Sequence, residues 1–114
     1  ATNNMIGDEQ LSLLRDGATL VNTSRGSVID HDALFKHAQA RRIHCCLDVT
    51  TPEPLEPDSP FRRLDNVIIT PHVSGSGYYG YHLIGDQTVQ ALVDCFAGNP
   101  VEGAVPMHRF ETIA

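Results

Sequence analysis

"ATLVNTSRGSVIDHDALF", residues 18–35, carries the change of period on which the fold turns. Residues 18–22 form a short apolar strand, stopped by the polar, glycine-containing "TSRGS". Asp30 then suits the N-cap of a helix predicted to run through about Arg41, because a short carboxylate can accept from the free amides of a first turn. Ala33, Leu34, His37 and Ala38 share one face of that helix. A strand leading through a polar loop into an amphipathic helix is half of a β-α-β unit.

The flanking segments extend the same alternation. Upstream, Leu11, Leu13 and Leu14 lie in a helical stretch predicted from near Asp8 to Asp16, where Gly17 suits the position after the helix. Downstream, "IHCCLDV" (residues 43–49) is a second strand, and its near-continuous apolar run predicts cover on both faces. "TPEPLEPDSPF" (residues 51–61) holds four prolines in eleven residues, which predicts a rigid, extended loop with neither helix nor ladder. "NVIIT" (residues 66–70) is the third strand. The stretch from about Tyr81 to Phe96 is helical, with Ile84, Thr88, Leu92 and Cys95 on one face, and Gly98-Asn99-Pro100 ends it. The order α-β-α-β-loop-β-α predicts an α/β fold with parallel strands and right-handed crossovers.

Bulk composition narrows the function classes. The chain has 114 residues, 41% hydrophobic and 19% charged, as ordinary globular domains do. A formal charge of −6, with no Lys/Arg cluster, gives no footprint for nucleic acid. No apolar run approaches a membrane span of roughly 20 residues. The three cysteines show no CxxC or Cys/His spacing, so no metal site is expected; all three are expected to be reduced and packed, in a cytoplasmic setting. "ATNNMIGDEQ", with no Met at position 1, reads like the middle of a longer chain.

In parallel α/β sheets, ligands bind beyond the carboxyl ends of the strands. The residues there are Thr23-Ser24-Arg25, Asp48 through Glu53, and Pro71-His72. Arg25 offers a planar, permanently charged fork that matches a carboxylate. His72 can give and take a proton near neutral pH. Glu53 against the second ring nitrogen would orient the imidazole, fix its tautomer and favour the imidazolium. Together these groups suit the reduction of a 2-oxo acid. Arg25 would anchor the carboxylate and His72 protonate the carbonyl oxygen, while a nicotinamide gives hydride and its carboxamide donates to Asp48. Taken singly, each has a plainer role: Arg25 a solvated loop charge, Glu53 a solubilising acid, His72 a strand end. Only their common sheet edge argues for chemistry. A Glu53 oxygen is then expected within about 3 Å of a His72 ring nitrogen.

"MIGDEQLSLLRDGATLVNTSRGSVIDHDAL", "CLDVTTPEPL" and "NVIITPHVSG" resemble the C-terminal half of the nucleotide-binding domain of D-isomer-specific 2-hydroxyacid dehydrogenases. The resemblance covers residues 5 to about 105, with the three motifs in the family's order. It implies a partial Rossmann-like parallel sheet of three strands with flanking helices, lacking the glycine-rich half. Residues 1–114 would be the C-terminal half of a dinucleotide-binding domain. The catalytic triplet falls on Arg25, Glu53 and His72, and the nicotinamide contact on Asp48. Thr23, Ser24, Arg25, His72 and Gly75 would line the cofactor. The implied protein is an NAD- or NADP-dependent oxidoreductase acting on a D-2-hydroxy acid, with this piece inactive by itself and prone to form a homo-oligomer. The alternative is a nucleotide-responsive, corepressor-like interaction protein of the same fold; a degraded gene product is a third reading. The chain departs from the family pattern at Cys45-Cys46, where Gly-Ala is common, and at Thr50, where an aromatic is usual. "SGSGYYGY" lacks the threonine and acid that often follow the histidine, and its glycines predict a loose start to the last helix.

Overall fold

The chain runs α1 (Asp8–Ser12), β1 (Ala18–Asn22), α2 (His31–Gln39), β2 (Ile43–Leu47), β3 (Val67–Ile69) and α3 (Tyr78–Ala97) in a computed structural model that describes residues 2–75 and 77–112. Residues 1–75 form one compact unit and residues 76–114 another.

In the first unit the three strands form one parallel sheet in the order β1-β2-β3, with Leu20 opposite Cys45 and Cys46 opposite Ile68. The α/β reading and all three strand positions are therefore as expected. Asp30 caps α2 as its residue type predicts, one carboxylate oxygen accepting from the amides of Asp32 and Ala33, each at 3.0 Å. Leu11 from α1, Leu34 and Ala38 from α2, and Ile43, Cys45 and Leu47 from β2 meet in a single core. Helix α1 is shorter than its leucines suggest. The Leu13 and Leu14 amides bond back to the carbonyls of Gln10 and Leu11, a tightened last turn that ends the helix before Gly17 takes a φ of 79°.

The expectation of cover on both faces of β2 is corrected. Its residues alternate: Ile43, Cys45 and Leu47 are buried, His44 is exposed and Cys46 is half-buried. The core residues from both helices lie with Ile43, Cys45 and Leu47, while Val21 (64% exposed) and Ile68 (62%) flank Cys46 across the other face. An apolar run of this length fits a one-sided strand as well as a two-sided one, and only the sheet's surroundings decide between them.

The cysteines differ in the same way. Burial, and secondarily the neighbouring Cys46, pushes the Cys45 thiol up to about 11. Cys95 is exposed, which corrects the expectation that all three are packed. Since the thiolate is the reactive form, iodoacetamide at neutral pH should alkylate Cys95 in the folded chain and leave Cys45 unmodified. Peptide mass spectrometry reads the order of labelling, and equal rates at the two positions would contradict the packing of β2.

The proline-rich link between β2 and β3 is held by its own side chains. Leu55 and Phe61 are buried in the core, and Phe61 meets Phe35 of α2 edge-on at 5.2 Å. Arg62 donates to the Leu55 and Glu56 carbonyls at 2.8 and 2.9 Å. The segment is not wholly extended, since Pro60–Arg63 forms a 3-10 turn with proline at its start, where its missing N–H leaves no bond unmade. The peptide bonds before Pro52 and Pro54 are cis.

The second unit is built on α3, which ends at Gly98 with a φ of 73°, the left-handed conformation glycine adopts most easily. It begins at Tyr78, three residues before the predicted start. Ile84 and Leu92 of the predicted apolar face are 56% and 54% exposed.

Candidate active site

Each strand of the sheet delivers its chain into a loop at the same edge, and the loops are tied to one another. After β1, the buried Asn22 closes residues 22–25 into a turn. Its Oδ1 accepts from the Ser24 amide (3.1 Å) and hydroxyl (2.9 Å), and its Nδ2 donates to the Arg25 carbonyl at 3.0 Å. Asparagine suits such a turn because its side chain imitates the backbone. Thr23, Ser24 and Arg25 are left exposed. The Arg25 guanidinium donates to the Ser24 carbonyl at 2.7 Å.

Gly26 joins this loop to the next. A β-carbon built there would lie 2.1 Å from the Thr50 carbonyl oxygen, 2.2 Å from its carbon and 2.6 Å from Thr51 Oγ1. The loop after β1 can therefore rest on the backbone after β2 only if no side chain stands between them.

The turn after β3 is wound around Asp48. The Asp48 carboxylate accepts from the Thr70 hydroxyl and from the amides of Val73 (3.0 Å) and Ser74 (2.9 Å). Its backbone carbonyl accepts from the His72 amide at 2.9 Å. His72 itself has a φ of 53°, unusual for a residue with a side chain. The Asp48 bonds on either side hold it in that conformation. Its Nδ1 is hydrogen-bonded to Glu53 Oε1, with both side chains partly exposed. Glu53 and His72 thus form the hydrogen-bonded pair expected from their positions in the motifs, and Nε2 has no hydrogen-bond partner among the described residues.

Hydrogen bonds from the Ser74 and Thr70 side chains, then from the Ser74 and Val73 amides, hold the Asp48 carboxyl well below the usual carboxylate range. A depressed folded-state pKa adds stability above the unfolded value of roughly 4 and loses it as pH falls toward the folded value. Asp8, lowered chiefly by Lys36 and His37, and Asp65, lowered by Arg41, act in the same sense. Urea midpoints should therefore drop on acidification below about pH 5. Asp48→Asn should be less stable at neutral pH and show a shallower acid decline. An unchanged acid limb in that variant would remove Asp48 from its place as the centre of the turn.

A cleft of about 470 Å³ opens beside the pair, lined by Asp48, Thr50, Glu53, Arg62, Thr70 and His72 among others. Three of the expected site residues, Asp48, Glu53 and His72, therefore share one cavity. Arg25 stands at the same sheet edge but outside that lining, and Arg62 supplies the cavity's guanidinium. Gly75, the last residue of the first unit, is exposed, with open space where a side chain would stand. Asn22, Gly26 and Thr70 were not singled out from the sequence, although an asparagine at a strand end is a recognisable turn signal. Among the described residues no group of His, Cys, Asp or Glu is placed to hold a metal ion. None of the helices there is long and apolar enough to cross a membrane.

The relatives of this chain carry dehydrogenase and reductase names. It is 34% identical over 108 residues to a D-3-phosphoglycerate dehydrogenase of Archaeoglobus fulgidus, covering 94% of this chain and 20% of that one. It is 38% identical over 93 residues to a glyoxylate reductase of Korarchaeum cryptofilum, covering 81% of this chain and 28% of that one. The chain thus spans less than a third of the length of either. Among solved structures, a D-isomer specific 2-hydroxyacid dehydrogenase from Xanthobacter autotrophicus Py2, in complex with NADPH and MES, superposes with a TM-score of 0.82. It is 33% identical, over 95% of this chain and 44% of that one. The family model "D-isomer specific 2-hydroxyacid dehydrogenase, NAD binding domain" matches residues 1–74, the unit that contains the sheet and the Glu53–His72 pair. On that match, the chain belongs to the D-isomer specific 2-hydroxyacid dehydrogenase family.

Proposed function

We propose that this chain is the C-terminal half of the dinucleotide-binding domain of a cytoplasmic, NAD- or NADP-dependent oxidoreductase that interconverts a small D-2-hydroxy acid and its 2-oxo acid. The observation that carries the reading is the Glu53–His72 hydrogen bond at the mouth of a cleft on the carboxyl edge of a parallel sheet. The open face flanked by Val21 and Ile68, and a β1 strand paired on one side only, suit a sheet that continues into another half. Such exposed apolar surface also favours self-association of the chain on its own.

The residues fit a nicotinamide dinucleotide at this edge. The exposed loop of Thr23 and Ser24 and the turn ending at Gly75 would border it, and Asp48 would face its carboxamide end. When bound, a nicotinamide supplies or accepts the hydride. The chain's own groups handle the substrate and the proton. Arg25 is exposed at the same sheet edge, and its guanidinium is of the kind that pairs with a substrate carboxylate. In reduction, His72 Nε2 gives a proton to the carbonyl oxygen; in oxidation the neutral ring takes it from the hydroxyl. Glu53 on Nδ1 keeps the ring oriented and stabilises it when charged.

The test is reduction of glyoxylate and hydroxypyruvate with NADH or NADPH, by the protein in which this chain continues from a glycine-rich half. Turnover of a 2-oxo acid with either cofactor is the expected result. No turnover of any 2-oxo acid, in a protein that binds the cofactor, would overturn the reading.

A further inference from the structure

We infer that His31 is a positioning residue for the Glu53–His72 pair, holding the loop that carries Glu53 through the backbone amide of Thr51. The inference rests on reading Glu53 and His72 as a working pair. His31 is the first residue of α2 and is half-buried, and both of its ring nitrogens are engaged. Nδ1 lies 3.1 Å from the Ile29 carbonyl, which can only accept, so Nδ1 carries the proton. Nε2 accepts from the Thr51 amide at 3.2 Å. The two bonds require one tautomer, neutral and protonated on Nδ1. The ring is further fixed edge-on against Phe61, at 6.0 Å between centroids.

Thr51 is two residues before Glu53, and its neighbours are held just as firmly. Thr50 Oγ1 donates to the Pro52 carbonyl at 2.8 Å, and the Thr50 backbone sits against Gly26. Among the described residues the Glu53 carboxylate is itself held by His72, from a different loop. Without an acceptor at position 31, the Thr51 amide would have to turn toward water, and Glu53 would lose the fixed backbone from which it reaches His72. The contact spans 20 residues of sequence. It depends on an imidazole at a helix start, where sequence reading finds only a cap-adjacent polar residue.

Nitrogen-15 NMR of this chain at neutral pH tests the inference. Imidazole correlations should show His31 protonated on Nδ1 and bare on Nε2, and His72 should give a low-field proton shared with Glu53. His31→Phe keeps a ring against Phe61 but offers no acceptor. It should speed exchange of the Thr51 amide about tenfold, the worth of one typical hydrogen bond, and abolish the low-field His72 signal. His31→Gln places an amide oxygen near the Nε2 position and should restore both. The inference is overturned if His31 is protonated on Nε2 or if His72 keeps its signal in His31→Phe. It is equally overturned if Gln fails to rescue, or if the unmodified chain shows no low-field signal and hence no pair to position. Should His31→Phe fail to fold, the tautomer and the Gln variant still decide. None of these readouts involves turnover, so failure of this inference and failure of the functional reading are told apart.

Discussion

Gly26→Ala should destabilise the chain by about 3 kcal/mol, the upper end of what overpacking a tight site usually costs. The reason is space and not backbone conformation. Gly26 does not have a positive φ, so alanine could adopt its backbone angles without strain. The new methyl, however, would fall 2.1 Å from the Thr50 carbonyl oxygen and 2.2 Å from its carbon. Those are main-chain atoms, and they cannot swing aside as a flexible side chain would. Either the loop carrying Arg25 lifts away or the Thr50–Glu53 segment moves, and both routes disturb the site along with the fold. Gly75→Ala is the control, because a β-carbon there meets nothing within 4 Å. Urea denaturation of the two variants should give a large drop in midpoint for Gly26→Ala and almost none for Gly75→Ala. A Gly26→Ala chain as stable as the parent would mean that the two loops are not in contact in solution.

That contact also marks the limit of what the sequence discloses. The strands and α2 are legible because each depends on local pattern. Residues 18–22 and 67–69 are short apolar runs between polar breaks, and Asp30 is a cap by residue type. Glu53 and His72 are legible because the motifs that carry them end at one edge of a parallel sheet. Burial on the second face of β2 is not legible, since it depends on what the rest of the sheet is packed against. Nor is the support of the site. Gly26 acts on Thr50, His31 on Thr51 and Thr70 on Asp48, each across 20 or more residues through a carbonyl, an amide or a carboxylate. No periodicity registers such contacts. Asp48 shows the same limit from the other side: its motif position marks it for the cofactor, but its carboxylate is also the acceptor around which residues 70–74 are wound.

In the protein that carries this chain, His72→Ala should lower kcat by about 10²–10⁴ in both directions, the usual share of a positioned general acid–base. Nδ1 is bound to Glu53, so a single nitrogen, Nε2, is available to exchange a proton with substrate. Replacing the ring removes donor and acceptor together, which is why reduction and oxidation should fall alike. Arg25→Ala should behave differently. On the proposed reading the guanidinium binds the substrate carboxylate and does not carry the proton, so the main effect should be a raised KM. Glu53→Gln keeps the shape of the side chain but removes the charge facing the imidazolium, so it should lower kcat by less than His72→Ala and leave KM nearly unchanged. The split between kcat and KM across the three variants separates these roles more sharply than any one loss of activity. A structural effect of His72 could imitate the first result, because residue 72 sits in a left-handed turn that any replacement must also adopt. His72→Asn resolves this, since asparagine accepts a positive φ more readily than most residues yet cannot act as the acid or base. If His72→Asn folds as the parent does and retains kcat within about a factor of ten, the imidazole is not the proton carrier. The Glu53–His72 pair would then be no more than a clasp between two loops.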